Sequence, residues 1–319
     1  MQAGILGSVI PLFAVIFAGY FAGRTHMLAE EAVRGLNRFV FTFAMPPMLF
    51  RLMAGTDVTA LGQGRFLFGY FWAELLVFLI GAILGGLLFR QRFSEMVMQG
   101  FGSSFSNGVL LALPLLISLH GEAGAVPALL LFTLDVLVFG AITTMLEVAR
   151  AREGRGSGSA LAAARTSVLA ILRNPIIMAT LTGILWGIAG LPVPSLIDKT
   201  FGFLGQAGPP AALFALGATL AHRRIEGSVG SAGVMVVLKL LVHPALVFLT
   251  LTLVVPVDPF WVHAAVLFAA CPVGANVYVF AAHYGVQVTA ASAAILVSTG
   301  LAMLTITGLL LLYHPPVPA

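Results

Sequence analysis

Long apolar segments alternate with short polar ones along the whole chain. Each apolar segment has about the 20 residues that a helix needs to cross a bilayer. Ten-residue segments of strictly alternating hydrophobicity, which are typical of membrane β-barrels, are absent. The pattern therefore predicts an all-α integral membrane protein with ten transmembrane helices. The predicted spans are residues 3–23, 37–54, 66–89, 100–119, 125–148, 174–190, 200–221, 229–255, 260–283 and 287–313.

The composition agrees with a membrane protein. Hydrophobic residues make up 60% of the 319 residues and charged residues only 9%, whereas soluble domains carry about 25% charged residues. The net charge of +4 is explained by basic loop residues and does not require a nucleic-acid partner. Cys271 is the only cysteine, which excludes an internal disulfide. The first residues lack a basic n-region and are interpreted as a first span, not as a cleaved signal peptide.

Basic residues are divided unequally between the two sides of the predicted helices. Cytoplasmic loops carry an excess of Lys and Arg, and this excess predicts that both termini lie outside. The residues then placed inside are Arg24, Arg34, Arg38, Arg90, Arg92, Arg150, Arg152, Arg155, Arg165, Arg173, Arg223 and Arg224. The residues placed outside are Arg51, Arg65 and Lys199, while Lys239 falls within a span.

A polar linker at residues 150–172 separates two groups of five spans, 1–149 and 173–319. Because five is odd, the second group must be inserted upside down relative to the first, an arrangement typical of secondary transporters. Similar residues recur at a nearly constant offset, which favours an inverted five-plus-five repeat. The matching positions are Pro11 and Pro175, Met45–Phe50 and Gly208–Phe214, Glu74 and Lys239, and Asn107 and Asn276.

The fourth and ninth spans, which occupy matching positions in the two repeats, both contain residues that interrupt helices. Paired interruptions of this kind point to the binding site of a transporter. The freed N–H groups of half-helices favour an anion. The alternative is that Pro and Gly are merely tolerated and that Ser and Asn join helices. The candidate substrate-binding residues are Asn107, Asn276, Ser103, Ser104, Ser106, Gly108, Gly274 and Tyr278, and the helix-breaking prolines are Pro114 and Pro272.

Ionisable residues within predicted spans form a second group of candidates, because burying them in a membrane is costly. Glu74 and Lys239 occupy equivalent repeat positions and are predicted to pair, either as a static ion pair or as a coupling element. Asp135 is a candidate proton or sodium site, or else a hydrogen-bond acceptor for a neighbouring helix. His243 follows Lys239 by one turn and is expected on the same face. The histidines show no ligand spacing, so no metal or other cofactor is predicted beyond H⁺ or Na⁺ as a coupling ion.

Several function classes find no support in the motifs. The chain has no GxxxxGK[ST] motif for ATP and no HExxH or GxSxG motif of an enzyme. Secondary transport of a small organic anion is therefore the leading interpretation. An anion channel, or a uniporter without ion coupling, is the alternative.

Four stretches also resemble the auxin efflux carrier family of the bile, arsenite and riboflavin transporter superfamily. They are NRFVFTFAMPPMLF, SSFSNGVLLALPLL, LFALGATL and the Pro-Gly-Asn interruption of the ninth span. Bacterial members of this family are often called malonate transporters, and the similarity extends along the whole chain. The resemblance implies a bacterial inner-membrane protein that transports malonate or other mono- or dicarboxylates. Homodimers occur in that family.

The same resemblance implies a five-plus-five fold in which the fourth and ninth helices cross near the midplane. Spans 1, 2, 6 and 7 would form a scaffold domain, and spans 3–5 and 8–10 a transport domain that gives alternating access. Crossover asparagines hold the substrate carboxylate in the plant carriers, and Asn107 and Asn276 match those positions. Glu74 matches the acid of an ionisable support site. The large regulatory insert of the plant carriers is missing here.

Overall fold

A computed structural model describes residues 2–55, 63–152, 175–222 and 229–313. Within these ranges all regular secondary structure is helical, and helices occur in each of the ten predicted segments. Four helices are individually long and apolar enough to cross a membrane, which supports a multi-pass membrane protein, while the count of ten spans stays a prediction. These four are Gly64–Phe89, Glu122–Arg150, Val229–Val254 and Val288–Leu312.

Part of the sequence-based account lies outside the described residues. This applies to the predicted linker from residue 153 onward and to five arginines used for the orientation: Arg155, Arg165, Arg173, Arg223 and Arg224.

Fifteen α-helices and four π-helices follow one another in the described ranges. The α-helices are α1 (Gln2–Arg24), α2 (Glu30–Phe39), α3 (Met45–Ala54), α4 (Gly64–Phe89), α5 (Phe93–Ser104), α6 (Leu113–His120), α7 (Glu122–Arg152), α8 (Pro175–Ile188), α9 (Ser195–Gly205), α10 (Gly208–Ala221), α11 (Val229–Val237), α12 (His243–Leu249), α13 (Pro259–Ala270), α14 (Ala275–Tyr284) and α15 (Val288–Leu312). The π-helices are Val40–Ala44, Gly108–Ala112, Leu238–Val242 and Thr250–Val254.

Every π-helix stands just before a proline. A proline has no N–H, and its ring clashes with the carbonyl four residues earlier. The wider π turn accommodates that carbonyl, and the helix is disturbed in this form before Pro46–Pro47. At the matching position, Pro209–Pro210, the chain breaks instead, and α10 restarts with both prolines in its first turn. The prolines that follow π-helices are Pro46, Pro114, Pro244 and Pro256.

The described residues form two compact units. Unit 1 contains the described residues of 1–64, 109–130 and 171–222, and unit 2 contains those of 65–108, 131–170 and 223–319. Unit 1 therefore holds α1–α3, α6, the start of α7 and α8–α10. Unit 2 holds α4, α5, the rest of α7 and α11–α15.

Close backbone contact between α1 and α10 organises unit 1. A Cβ atom added to Gly217 would lie 1.8 Å from the carbonyl oxygen of Ile16, and one added to Gly19 would lie 2.0 Å from that of Phe214. Small residues allow helices to approach this closely, and close packing is a main source of helix association in membranes.

Helix packing in unit 2 surrounds the two interrupted helices. α13 packs against α12, α11 packs against α5 and α15, and α14 packs against α5 and α15. The helices on either side of the interruptions, α5, α13 and α14, are therefore held in place by α11, α12 and α15.

Candidate functional site

Two interrupted helices meet inside unit 2. α5 ends at Ser104, and the chain is extended over residues 105–107 before the π-helix begins at Gly108. In the second interrupted helix, α13 ends at Ala270 and α14 begins at Ala275. Both interruptions leave backbone groups without the hydrogen bonds of a continuous helix.

The two interruptions satisfy part of each other's backbone. Ser106 and Val273 form an isolated antiparallel bridge, and the N–H of Asn107 donates to the Pro272 carbonyl at 2.9 Å. The Val273 N–H donates to Ser298 Oγ of α15 at 3.1 Å. Irregular backbone inside a membrane protein is tolerated where it is satisfied in this way.

Two glycines allow the crossing to be so close. The Gly274 N–H donates to the Phe105 carbonyl at 3.0 Å, and a Cβ on Gly274 would lie 2.8 Å from the Ser106 carbonyl oxygen. A Cβ on Gly108 would lie 2.7 Å from Cζ of Phe268. Both glycines were predicted as site residues, and the structure gives each of them a packing requirement at the crossing.

The two candidate asparagines have different environments. Asn107 is buried, and its Nδ2 has no hydrogen-bond partner among the described residues. Asn276 is exposed and lies in the first turn of α14. The first N–H groups of a helix have no partner within it and carry the positive end of the helix dipole. Both asparagines thus place amide donors at the crossing.

The other polar candidates differ from one another in burial and in hydrogen bonding. Ser103 Oγ donates to the Gln99 carbonyl of its own helix at 2.8 Å, and Ser103 packs against Gly81 of α4. Ser104 is buried beside it, and Tyr278 is half-buried on α14. Pro114 is the second residue of α6 and belongs to unit 1. Its role as a helix-breaking residue stays a prediction.

The ionisable side chains singled out from the sequence are all buried in unit 2: Glu74, Asp135, Lys239 and His243. Lys239 Nζ donates to the Ala269 carbonyl and lies 3.2 Å from His243 Nδ1. Ala269 is in the last turn of α13, where carbonyls have no partner within the helix and form its negative end. Lys239 therefore stabilises the end of a half-helix at the crossing.

The direct Glu74–Lys239 pair predicted from the repeat is not formed. No ion pair of 4 Å or less joins the two residues in the part of the chain that the structure describes. The interruption supplies the Ala269 carbonyl, which takes the ammonium group instead. Lys239 still interacts electrostatically with Glu74 and Asp135 at longer range, and any coupling role for the group stays a prediction.

The two acids lie next to the crossing without close hydrogen-bond partners. Glu74 Oε2 and Asp135 Oδ2 are buried and unpaired among the described residues. Asp135 Oδ2 is 3.7 Å from the position that a Cβ on Gly108 would occupy. Across the described ranges, no group of three His, Cys, Asp or Glu residues is arranged to hold a metal ion.

Sequence reasoning missed two residues that support this site. Tyr70 is buried one turn before Glu74, and its ring packs 5.6 Å from His243 and 5.9 Å from Phe268 between centroids. Its spacing of four residues from Glu74 on one helix is a signal that could have found it. Ser298 offers no such signal, because serines are common between membrane helices.

Comparisons with known proteins give the chain a family. The model of a family described as membrane transport protein matches residues 4–310. The chain is 34% identical, over 98% of its length and 96% of the relative's, to a protein of Rhizobium meliloti (strain 1021) that is provisionally named a malonate transporter. It is 23% identical to auxin efflux carrier component 8 of Arabidopsis thaliana, over 89% and 90% of the two chains.

A third relative is an uncharacterized transporter of Escherichia coli (strain K12), 22% identical over 72% of each chain. These relatives are named as transporters, so the protein is a transporter and not an enzyme. Its substrate is a small molecule, and the protein itself lies in a lipid membrane. The match over nearly the whole chain, together with the apolar helices, means that the chain belongs to the membrane transport protein family, which includes auxin efflux carriers.

Proposed function

We propose that the protein is a secondary active transporter of small organic anions, such as malonate and other mono- or dicarboxylates. The substrate binds at the crossing in unit 2, and alternating access exposes it to each side of the membrane in turn. The observation that carries this proposal is the meeting of two interrupted helices where the Asn107 amide donor has no partner among the described residues. The name of the Rhizobium meliloti relative makes malonate the first substrate to test.

The chemistry of the crossing favours a carboxylate. The first turn of α14 supplies backbone N–H groups and the Asn276 amide, while Asn107 Nδ2 has no partner among the described residues. Donors of this kind bind anions, and hydrogen bonds to an ionised acceptor are stronger than neutral ones. Lys239 adds a positive charge near the end of α13.

The proposal includes the inverted five-plus-five topology with crossing helices. The interruptions of the predicted spans 4 and 9 support it, as do the paired prolines in spans 2 and 7. The division into units supports a scaffold from spans 1, 2, 6 and 7 and a transport domain from spans 3–5 and 8–10. One difference is that the second half of span 4 and the start of span 5 belong to unit 1.

We also propose a location in the bacterial inner membrane with both termini outside. Arg90, Arg92 and Arg150 support this orientation, because they stand at ends of α4, α5 and α7 that share one side in that arrangement.

Uptake into proteoliposomes tests the transport function. Labelled malonate should enter with saturable kinetics, and vesicles preloaded with unlabelled malonate should accumulate the label transiently by counterflow. Empty liposomes serve as the control. Flux that rises linearly with concentration and shows no counterflow would support the channel alternative and contradict a transporter.

Coupling to H⁺ or Na⁺ is a further part of the proposal. Two carboxylates and one ammonium group are buried together, and an uncompensated buried charge is costly. A bound proton or sodium ion would balance this charge. Replacing Glu74 with Gln, or Asp135 with Asn, should abolish accumulation driven by an ion gradient while counterflow is retained.

The matched control for the coupling test is Glu31→Gln, because Glu31 is an exposed acid of α2. If both buried-acid variants accumulate malonate as the wild type does under the same gradient, neither acid carries the coupling ion.

A further inference from the structure

We propose that a polar cavity at one end of unit 2 binds an oxyanion of the phosphate class, supplied by a phospholipid headgroup or as free phosphate. The cavity has a volume of about 390 Å³. Its polar lining consists of Arg92, Ser94, Glu95, Arg150, Tyr284 and Gln287. The proposal does not depend on the transport function inferred for the crossing.

The cavity is separated from the crossing by the length of α5. It lies where α5 and α15 begin and where α7 and α14 end. α5 has 12 residues, so its two ends are about 18 Å apart at 1.5 Å per residue. The Arg excess predicts that this end of unit 2 is cytoplasmic, and basic pockets on that side of membrane proteins bind anionic headgroups.

Arg150 is held in a fixed plane at the cavity. Its guanidinium lies 4.5 Å from the centroid of the Tyr284 ring, and its Nη2 donates to the His283 carbonyl at 3.2 Å. A guanidinium carries five N–H donors in a planar fork that matches phosphate and carboxylate oxygens. The stacked arginine therefore keeps further donors available at low entropic cost.

Two acids lie near the arginines, and among the described residues neither accepts a hydrogen bond from an arginine side chain. A Glu95 oxygen accepts the Arg92 backbone N–H at 2.8 Å, and Glu147 interacts with Arg150 and with the Tyr284 hydroxyl. The Glu147 oxygen is 4.0 Å from Arg150 Nη1, which is too long for a hydrogen bond. The arginine side chains thus remain the principal charged donors of the cavity, which favours an anionic ligand.

The backbone supplies donors as well. Ser94 and Glu95 belong to the first turn of α5, and Gln287 immediately precedes α15. The N–H groups at these two helix starts lie at the cavity, together with the negative dipole ends of α7 and α14, which Arg150 partly offsets by donating to the His283 carbonyl. Gln287 has a φ of 55°, a left-handed conformation that is uncommon for a residue other than glycine and tends to occur at ligand sites. The Ser231 hydroxyl donates to Gln287 Oε1 at 3.0 Å and helps to hold the Gln287 side chain in place.

Thermal unfolding of the purified full-length protein tests the proposal with both sources of oxyanion. One arm compares nanodiscs of phosphatidylcholine with nanodiscs that also contain phosphatidylglycerol. The other arm titrates inorganic phosphate in detergent, with sodium chloride replaced so that the ionic strength stays constant. The melting temperature of the wild type should rise with phosphatidylglycerol, with phosphate, or with both. The responding arm identifies the source.

Two substitutions test whether Arg92 and Arg150 bind the oxyanion. Arg92→Glu removes a charge-assisted contact, and Arg150→Lys replaces the planar fork with a single ammonium group. Each should weaken the response by about tenfold or more in apparent affinity. Arg150→Lys also changes the contacts with Tyr284 and His283, whereas the Arg92 side chain is exposed, so we expect Arg92→Glu to fold as the wild type does. Arg38→Gln, an exposed arginine on α2, is the control for general surface charge.

The site is absent if neither phosphatidylglycerol nor phosphate raises the melting temperature. An equal response of the wild type and Arg92→Glu, with Arg38→Gln unchanged, would also overturn the proposal.

Discussion

Replacing either crossover asparagine with alanine is expected to lower the rate of malonate uptake at limiting concentration by at least about tenfold. Each variant removes a hydrogen bond to an ionised carboxylate, a contact worth about 1.5–3 kcal/mol, and each 1.4 kcal/mol changes affinity about tenfold. Asn276 is exposed and Asn107 Nδ2 is unpaired in the described structure, so neither amide is needed to satisfy the fold. The measurement is initial uptake into proteoliposomes across a range of malonate concentrations.

The control for these variants is Thr305→Ala. Thr305 lies on α15 of unit 2, and its hydroxyl donates only to carbonyls of its own helix. It should transport as the wild type does. Wild-type kinetics for both Asn107→Ala and Asn276→Ala would mean that the crossing does not hold the substrate.

Gly217→Ala should destabilise the protein by about 3 kcal/mol, which is a large effect for a single added methyl group. The new Cβ would lie 1.8 Å from the Ile16 carbonyl oxygen, and backbone atoms cannot move aside as the end of a side chain can. α1 and α10 would have to separate. The thermal unfolding midpoint and the yield of monodisperse protein measure the effect.

Gly35→Ala, in contrast, is not expected to lower the stability of the protein. No atom lies within 4 Å of a Cβ at Gly35, and alanine has a higher helix propensity than glycine. This variant should be as stable as the wild type or slightly more stable. If Gly217→Ala unfolds at the same temperature as Gly35→Ala, the close contact between α1 and α10 is not a source of stability.

The positions of the helices and of their interruptions could be predicted from the sequence, for local reasons. Apolar runs of sufficient length have few alternatives in a membrane. Pro272 and Gly274 weaken the helix of the ninth segment wherever the rest of the chain lies. The extended residues 105–107 were signalled in the same way by the polar residues and glycine around Asn107.

The partners of the buried charges could not be predicted in the same way. The repeat suggested that Glu74 and Lys239 pair, since they occupy matching positions. The ammonium group instead contacts Ala269 and His243, because an interrupted helix exposes carbonyls that no side-chain pattern reveals. Alanine carries no sequence signal for a backbone acceptor.

The geometry of the helix at the paired prolines could not be predicted from the sequence either. Proline signals a disturbed helix, yet the sequence does not distinguish a π turn at Pro46 from a break before Pro209. Glycines at positions 205 and 208 flank the break, and no glycine stands at the corresponding positions before Pro46. The kink positions were therefore predictable and their geometry was not.

Equilibrium binding of labelled malonate to the purified protein tests the central claim most directly, because it requires neither a gradient nor a working transport cycle. Wild type, Asn107→Ala, Asn276→Ala and Thr305→Ala should be compared under identical conditions. We expect saturable binding to the wild type and Thr305→Ala, with affinity lower by about tenfold or more in both asparagine variants. Equal affinity in all four proteins would contradict an anion site at the crossing of the two interrupted helices.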